Sequence, residues 1–313
     1  MGLGHAKCLS DVRLDGKTVI VTGSNTGIGK YTVEDFYKRG ARVLMACRNA
    51  EKANEASNEI KKACEGLEKL GEIEIINLDL SSLDSVRDCA NKLLETEEKI
   101  NILVNNAGVM MCPKTKTKDG FELQIGTNHF GHFLFTLMLL PRIIKSSPSR
   151  IVNVSSKAHR DGVMDFEDLN YDTRKYSALK AYQQSKLANV LFTKELARRL
   201  HESNIENVTV YSLHPGVITT DLGRHLDDTY FRGAKFILGA FWLLMKNCEQ
   251  GAQTTIHCCV DEQAGKDTGL YYAECAVTEP CAAAMDKETA KKLWEVSLKL
   301  VGLEDNYNPF LKK

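Results

Sequence analysis

From residue 17 onward, short runs of apolar, β-branched residues alternate with longer segments whose apolar positions recur every three to four residues. The runs at 18–22 (TVIVT), 42–46 (RVLMA), 73–78, 100–104, 150–154 (RIVNV) and 208–213 are rich in Val and Ile, as in parallel strands covered on both faces. Segments at about 28–38, 50–62, 83–95, 120–139 and 179–200 carry helical spacing. Their alternation predicts βαβ units with right-handed crossovers. The expected fold is α/β: a single-domain, Rossmann-type, doubly wound parallel sheet with helices on both faces and ligands beyond the carboxyl ends of its strands.

No internal repeat and no Pro/Gly-rich linker divides the chain. The expected layout is a short leader at 1–13, one domain at 14–303 with a substrate-lid region at about 222–248, and a tail at 304–313. Residues 1–11 contain no apolar run of membrane-spanning or signal length. Gly2 follows Met1, but Ala6 stands where an N-myristoylation motif has Ser or Thr, which argues against lipidation. The most apolar stretch, 233–245 (GAKFILGAFWLLM), is too short to span a bilayer. It reads as a packed helix near the substrate cleft or at a dimer face, with a lipid-facing surface as the alternative.

Composition narrows the function classes. A 43% hydrophobic, 26% charged chain of 313 residues can build a large core. Lys+Arg and Asp+Glu both number 41, so no net basic field exists to hold a nucleic acid. Ten scattered cysteines without a C-x-x-C spacing read as reduced thiols in a cytosol-facing compartment, and no metal is expected. His129 and His132 lack a third ligand and read as hydrogen-bonded pocket or core residues. Met110, Met111 and Cys112 read as soft packing near a cleft, and the KTKTK run at 114–118 as a solvated loop.

The first strand runs into Gly23, Ser24, Asn25, Thr26, Gly27, Ile28 and Gly29, a G-x-x-x-G-x-G spacing followed by a helix. Glycines there let the backbone approach a pyrophosphate, which sits on the free N–H groups and positive end of the helix. At the end of the second strand, where a carboxylate would bind a ribose 2′-hydroxyl, stands Arg48, a planar cation suited to a 2′-phosphate. NADP(H) is therefore expected over NAD(H). Asp79, ahead of Leu80, either accepts from an adenine amine or N-caps the helix starting near Ser82. Tyr182 and Lys186 lie four apart in a helical run and share a face. A tyrosine is a poor acid–base group at neutral pH unless a nearby cation stabilises its phenolate, which an ammonium one turn away supplies. Ser155 and Ser156 end a strand where a hydroxyl would face the same cleft.

Taken together, residues 22–29, Asn105-Asn106-Ala107-Gly108, Asn128, Ser156, Tyr182 with Lys186, and Pro215-Gly216 stand in one order along the chain. In this the sequence resembles the short-chain dehydrogenase/reductase family from about Leu14 to Leu303. The phrases TGSNTGIGK, ACRN, NNAGVMMCP, RIVNVSS, SKLAN, ELARRL, HPGV and QGAQT are similar, more narrowly, to the retinol dehydrogenase 11 to 14 group of retinal reductases. The resemblance implies a catalytic tetrad. In it Tyr182 exchanges the proton with the substrate oxygen, Ser156 (rather than Ser155) orients that oxygen, Lys186 lowers the Tyr182 pKa and binds ribose, and Asn128 holds a relay water. It implies further that Asn106, Ala107 and Gly108 line the adenine–ribose side, and that the segment from Pro215 and Gly216 to Thr219 lies against the nicotinamide.

The expected activity is an NADP(H)-dependent interconversion of a bulky apolar alcohol with its aldehyde or ketone (retinoid, lipid aldehyde or steroid), running as a reductase in the cell. The rival is a catalytically silent NADP(H)-binding sensor. A homodimer through the helices beside Tyr182 is the family habit. That group carries an apolar N-terminal anchor, whereas here the chain opens almost at the first strand. The expected location is the cytoplasm or the cytosolic face of a membrane, with peripheral lipid contact at most.

Overall fold

The computed structural model describes residues 6–218, 246–303 and 307–310. Gly2, Thr219, the apolar stretch 233–245 and nearly all of the expected lid lie outside the described residues.

One sheet runs through the molecule in the order β3-β2-β1-β4-β5-β6-β7-β8. Its strands are β1 (Thr18–Thr22), β2 (Arg42–Cys47), β3 (Glu72–Asn77), β4 (Ile102–Asn105), β5 (Ser149–Val154), β6 (Val208–His214), β7 (Leu270–Ala273) and β8 (Ala276–Val277). All pair in parallel except β8, which closes antiparallel on β7. The intervening helices are α1 (Gly27–Lys38), α2 (Ala50–Ala63), α3 (Leu83–Thr96), α4 (Leu123–Ile125), α5 (Gly131–Lys145), α6 (Ala178–Glu202), α7 (Cys248–Val260) and α8 (Lys287–Leu300). A π-helical turn, Gly126–Phe130, joins α4 to α5.

Successive residues of a strand point to opposite faces, and β1 feeds two separate cores accordingly. Ile20 joins the core formed with α3, α5, α6 and α8, whereas Val19 and Val21 join the one formed with α1, α2 and α7. All five β1 residues are buried, which is why this strand reads as a continuous apolar run. β3 lies at the edge and exposes Glu72 and Glu74, charges that discourage pairing with another chain. Arg42 binds both of them and the buried Glu97.

The six expected strands form with ends shifted by no more than two residues. β7, β8, α7 and α8 were not anticipated. Four residues of LYYA and two of β8 are too short for a periodic signal, and β7 exists because Leu270–Ala273 adds to the edge of β6. α8 does carry a legible start, since Asp286 accepts from the N–H groups of Glu288 and Thr289.

The helix expected at 120–139 instead starts at Leu123 and continues to Lys145 through Pro141. A proline inside a helix leaves the carbonyl four residues earlier without its partner. Here that carbonyl belongs to Leu137, and the Tyr307 hydroxyl donates to it at 2.9 Å. Residues 307–310 are thus fastened to the body, with Phe310 stacked on Trp294 at 6.1 Å between ring centroids. The KTKTK run is likewise fastened: Lys114 donates to the Tyr171 carbonyl and Lys116 pairs with Asp172. The run is a solvated loop as expected, with Lys114, Thr115, Lys116 and Lys118 exposed, and two of its lysines meet acceptors on the 168–174 turn.

α6 is buried around nearly its whole circumference. Trp294 of α8 packs on Phe192, and Arg199 lies over the same indole at 4.5 Å. α8 of the same chain therefore packs on α6. Among the described residues, no helix is long and apolar enough to cross a membrane.

Candidate active site

The strand order reverses between β1 and β4, and the crevice beyond their carboxyl ends is where a doubly wound sheet binds ligands. Residues 23–29 after β1 and 106–108 after β4 form its two lips. Their fit is close. A Cβ on Gly23 would lie 2.7 Å from the Ala107 Cβ, and one on Gly29 would lie 2.6 Å from Asn106 Nδ2 and 2.8 Å from the Gly23 carbonyl oxygen. Gly27 holds φ +57°, the left-handed conformation that lets α1 begin with its N–H groups facing the crevice. No carboxylate occupies the first turn of α1. The Ser24 hydroxyl turns inward to the Val21 carbonyl at 3.0 Å, so this residue offers the crevice its backbone rather than its side chain.

Across the crevice, Asn106 Nδ2 donates to the carbonyls of Thr22 and Gly23, and the N–H groups of Asn106 and Ala107 both donate to Thr22 Oγ1 at 2.9 Å. Gly108 faces Asn128 and Lys186. A Cβ there would stand 3.3 Å from Asn128 Oδ1 and 3.6 Å from Lys186 Nζ, so glycine keeps that space clear. These cradles, each of which a side chain would fill, fit a dinucleotide lying along residues 23–29 and 106–108.

Arg48 and Asp79 follow β2 and β3, on the same side of the sheet. Arg48 is exposed and makes no ion pair among the described residues. Asp79 accepts from the Ser81 N–H and hydroxyl, and the helix cap is Ser82, whose hydroxyl accepts from Ser85 N–H. The N-cap alternative for Asp79 is thereby corrected: its carboxylate closes a local turn just ahead of the cap. Leu80 is buried beneath Gly131.

The four expected catalytic residues converge from three elements. Ser156 follows β5; its side chain stands near enough to the Tyr182 hydroxyl to draw its pKa down, and its Oγ accepts from Ala158 N–H. Ser155 is distinguished from it: its hydroxyl points away and donates to the Lys186 main-chain carbonyl at 2.7 Å, tying α6 to β5. Lys186, 3% exposed, donates to the Val154 carbonyl, and its Nζ lies 5.6 Å from the Tyr182 ring centroid.

Asn128 sits in the π-helical turn with every polar group of its side chain engaged. Oδ1 accepts from Val109 N–H, and Nδ2 donates to the Val109 carbonyl and to Ser185 Oγ. Ser185 in turn donates to the Tyr182 carbonyl. Asn128 thus fastens the 106–109 loop to the turn of α6 that carries Tyr182. A relay water would use its main-chain carbonyl, which His132 already meets.

Electrostatics depart from expectation at one point. Burial pushes the Tyr182 hydroxyl up to about 12, against the smaller pull of Ser156, and Lys186 is not among the influences on it. Burial also lowers Lys186, to about 8. Desolvation of a charged form in a dry pocket outweighs an ammonium whose bond is to a backbone carbonyl rather than to the phenol. Tyr182 is therefore held as a neutral acid. His132 falls to about 4 and His129 to about 3, both through burial first, so both rings are neutral and packed as the sequence indicated.

Pro215 and Gly216 follow β6. Gly216 takes φ +103°, and a Cβ there would meet Lys246 Cδ at 2.7 Å. Lys246 N–H donates to the Val217 carbonyl, which holds this segment beside the crevice. Sequence reasoning gave no role to Ser185 or His159, and named Thr22 only as part of the 22–29 motif. His159 meets the Ser156 carbonyl through Nδ1 at 2.7 Å and accepts Cys281 N–H at Nε2. The signal was present only as hydroxyls and a histidine near the motif residues, a pattern common anywhere in a core.

A glycine-lined crevice at the reversal point of a parallel sheet, with Ser156 beside a buried Tyr182 and Lys186 at its side, defines the dinucleotide-dependent oxidoreductase class of doubly wound folds. The comparisons agree, for the profile of the family described as short chain dehydrogenase matches residues 17–230. The chain belongs to the short-chain dehydrogenase/reductase family. It is 48% identical to human retinol dehydrogenase 13 over 95% of this chain and 88% of that protein, and 45% identical to human retinol dehydrogenase 11 over 96% and 91%.

Among solved structures, an uncharacterised protein of Mycobacterium paratuberculosis superposes with TM-score 0.75 at 32% identity, covering 97% of this chain and 100% of that one. Pseudomonas aeruginosa RhlG in complex with NADP is similar at TM-score 0.64 and 25% identity, with 83% and 94% covered. A 3-ketoacyl-(acyl-carrier-protein) reductase of Brucella melitensis complexed with NADH is similar at TM-score 0.61 and 25% identity, with 82% and 96% covered. The protein is an oxidoreductase of this family that uses a nicotinamide cofactor.

Proposed function

We propose that the chain is an NADP(H)-dependent reductase of bulky apolar aldehydes or ketones, retinal-like carbonyls foremost. The observation that carries the reading is the buried, neutral Tyr182 hydroxyl beside Ser156, with Lys186 on the same face of α6. A carbonyl in the crevice needs a proton at oxygen as a hydride reaches its carbon, and a tyrosine held protonated supplies one. The bound dinucleotide supplies the hydride.

In this scheme Ser156 orients the carbonyl oxygen beside the Tyr182 hydroxyl. Lys186 reaches the cofactor ribose across the space that Gly108 keeps open. Asn128 holds the 106–109 loop against α6. Arg48, exposed after β2 where a 2′-hydroxyl reader would carry a carboxylate, supports NADP(H) over NAD(H). Support for an apolar substrate comes from the two relatives named retinol dehydrogenase.

The test is loss of NADPH absorbance with all-trans-retinal, medium-chain aldehydes and a ketosteroid, repeated with NADH and with Tyr182→Phe. Turnover that requires NADPH and falls by roughly 10³-fold or more in the variant supports the reading. Cofactor binding without turnover on any member of the panel overturns it in favour of a silent cofactor-binding protein.

A further inference from the structure

The buried ring of His132 lies between two parts of the site that the tetrad does not itself join. Its Nε2 stands 2.8 Å from Thr22 Oγ1 and its Nδ1 3.1 Å from the Asn128 main-chain carbonyl. Thr22 Oγ1 already accepts two N–H groups, from Asn106 and Ala107, which occupies both of its lone pairs. Its own hydrogen is then free to donate, and the nearest acceptor is His132 Nε2, ahead of the Val104 carbonyl at 3.4 Å. The ring must therefore carry its proton on Nδ1, where a carbonyl is waiting. Every bond in the chain has one donor and one acceptor: Asn106 and Ala107 N–H to Thr22 Oγ1, Thr22 O–H to His132 Nε2, His132 Nδ1–H to Asn128 C=O.

We infer that His132 is a positioning residue which locks the cofactor-side loops to Asn128, so that the 106–109 segment and Tyr182 are held in one frame. The continuation is on the page: Asn128 grips Val109 at both main-chain atoms and reaches Tyr182 through Ser185. Burial keeps the ring neutral, as a ring that must accept at one nitrogen requires. A charged imidazolium would present donors at both nitrogens and could not take the Thr22 hydrogen. This inference rests on the oxidoreductase reading for its kinetic consequence, though not for the geometry.

The experiment compares His132→Phe, which fills similar volume with no donor or acceptor, with His132→Asn, whose amide can restore the bond to the Asn128 carbonyl. Two readouts are taken on each: kcat and KM for the reductase reaction, and amide exchange at Asn106 and Ala107 in the protein without added cofactor. In the phenylalanine variant kcat falls about tenfold or more at unchanged carbonyl KM, and exchange at 106 and 107 quickens by about tenfold. The asparagine variant recovers kcat to within roughly threefold of wild type.

Wild-type kcat together with wild-type exchange in His132→Phe would show that the ring only fills space, and overturn the inference. So would an asparagine variant no better than phenylalanine. If His132→Phe does not fold, the asparagine variant alone decides, by whether its kcat stays near wild type. If the wild-type protein turns over no carbonyl, the oxidoreductase reading has failed on its own, and exchange at 106 and 107 decides the inference about His132.

Discussion

The Tyr307 hydroxyl donates at 2.9 Å to the Leu137 carbonyl, the acceptor that Pro141 leaves open in the middle of α5. Residue 307 thereby repairs a helix laid down 170 residues earlier, and α5 passes through a proline without ending. Tyr307→Phe should destabilise the protein by about 1 kcal/mol, the net worth of one such bond with its partner left dry. In a Pro141→Ala background, where residue 141 regains an N–H for the same carbonyl, the loss should shrink to a few tenths of a kcal/mol. Urea unfolding of the four proteins measures this, and equal losses in both backgrounds would refute the link.

The pH profile of carbonyl reduction should follow Lys186. Burial lowers its ammonium from the usual 10.5 to about 8, so it is charged below that pH and loses its charge above it. Reduction that needs a neutral Tyr182 and a charged Lys186 should be level from pH 6 to 7 and decline as pH rises through about 8. Lys186→Arg, charged throughout, should flatten that limb while lowering the rate.

Acid should weaken the fold through His129 and His132. Their folded values, about 3 and about 4, lie below the unfolded value of 6.5, so the unfolded chain binds more protons at any pH between. Stability from these groups is fully present above 6.5 and is lost as pH falls towards 4, by roughly 2 kcal/mol per ring at pH 5. Urea midpoints at pH 7 and pH 5 should separate accordingly, and the gap should narrow in His132→Asn. Equal midpoints would show that neither ring resists protonation in the fold.

Arg48 should set the cofactor. It stands exposed after β2, and a contact between its guanidinium and a phosphate is worth about 1.5–3 kcal/mol. Arg48→Ala should weaken NADPH binding about 10- to 100-fold and leave NADH binding within about threefold. A variant that loses both cofactors equally would show that Arg48 supports the loop instead of reading the 2′-phosphate.

Much of this protein was legible before any coordinates. Strand runs, crossover spacing, the loop at 23–29 and the shared face of Tyr182 and Lys186 are local patterns, set by which faces a strand or helix must bury and by which side chains four residues of helix place together, whereas Asn128 and Ser156 came in through the family resemblance. The sequence also separated Ser156 from Ser155, though only through family resemblance; the physical reason, Ser155 bonded to the Lys186 carbonyl, lies between two elements 31 residues apart.

What tertiary structure alone decided is of that second kind. Tyr307 capping Leu137, His132 standing between Thr22 and Asn128, and α8 closing over α6 are contacts between residues far apart in sequence. No local period encodes them. The same holds for the protonation of the site: Tyr182 was expected to be lowered by its neighbour, but the depth to which the fold buries it pushes it the other way, and burial is a property of the whole assembled core.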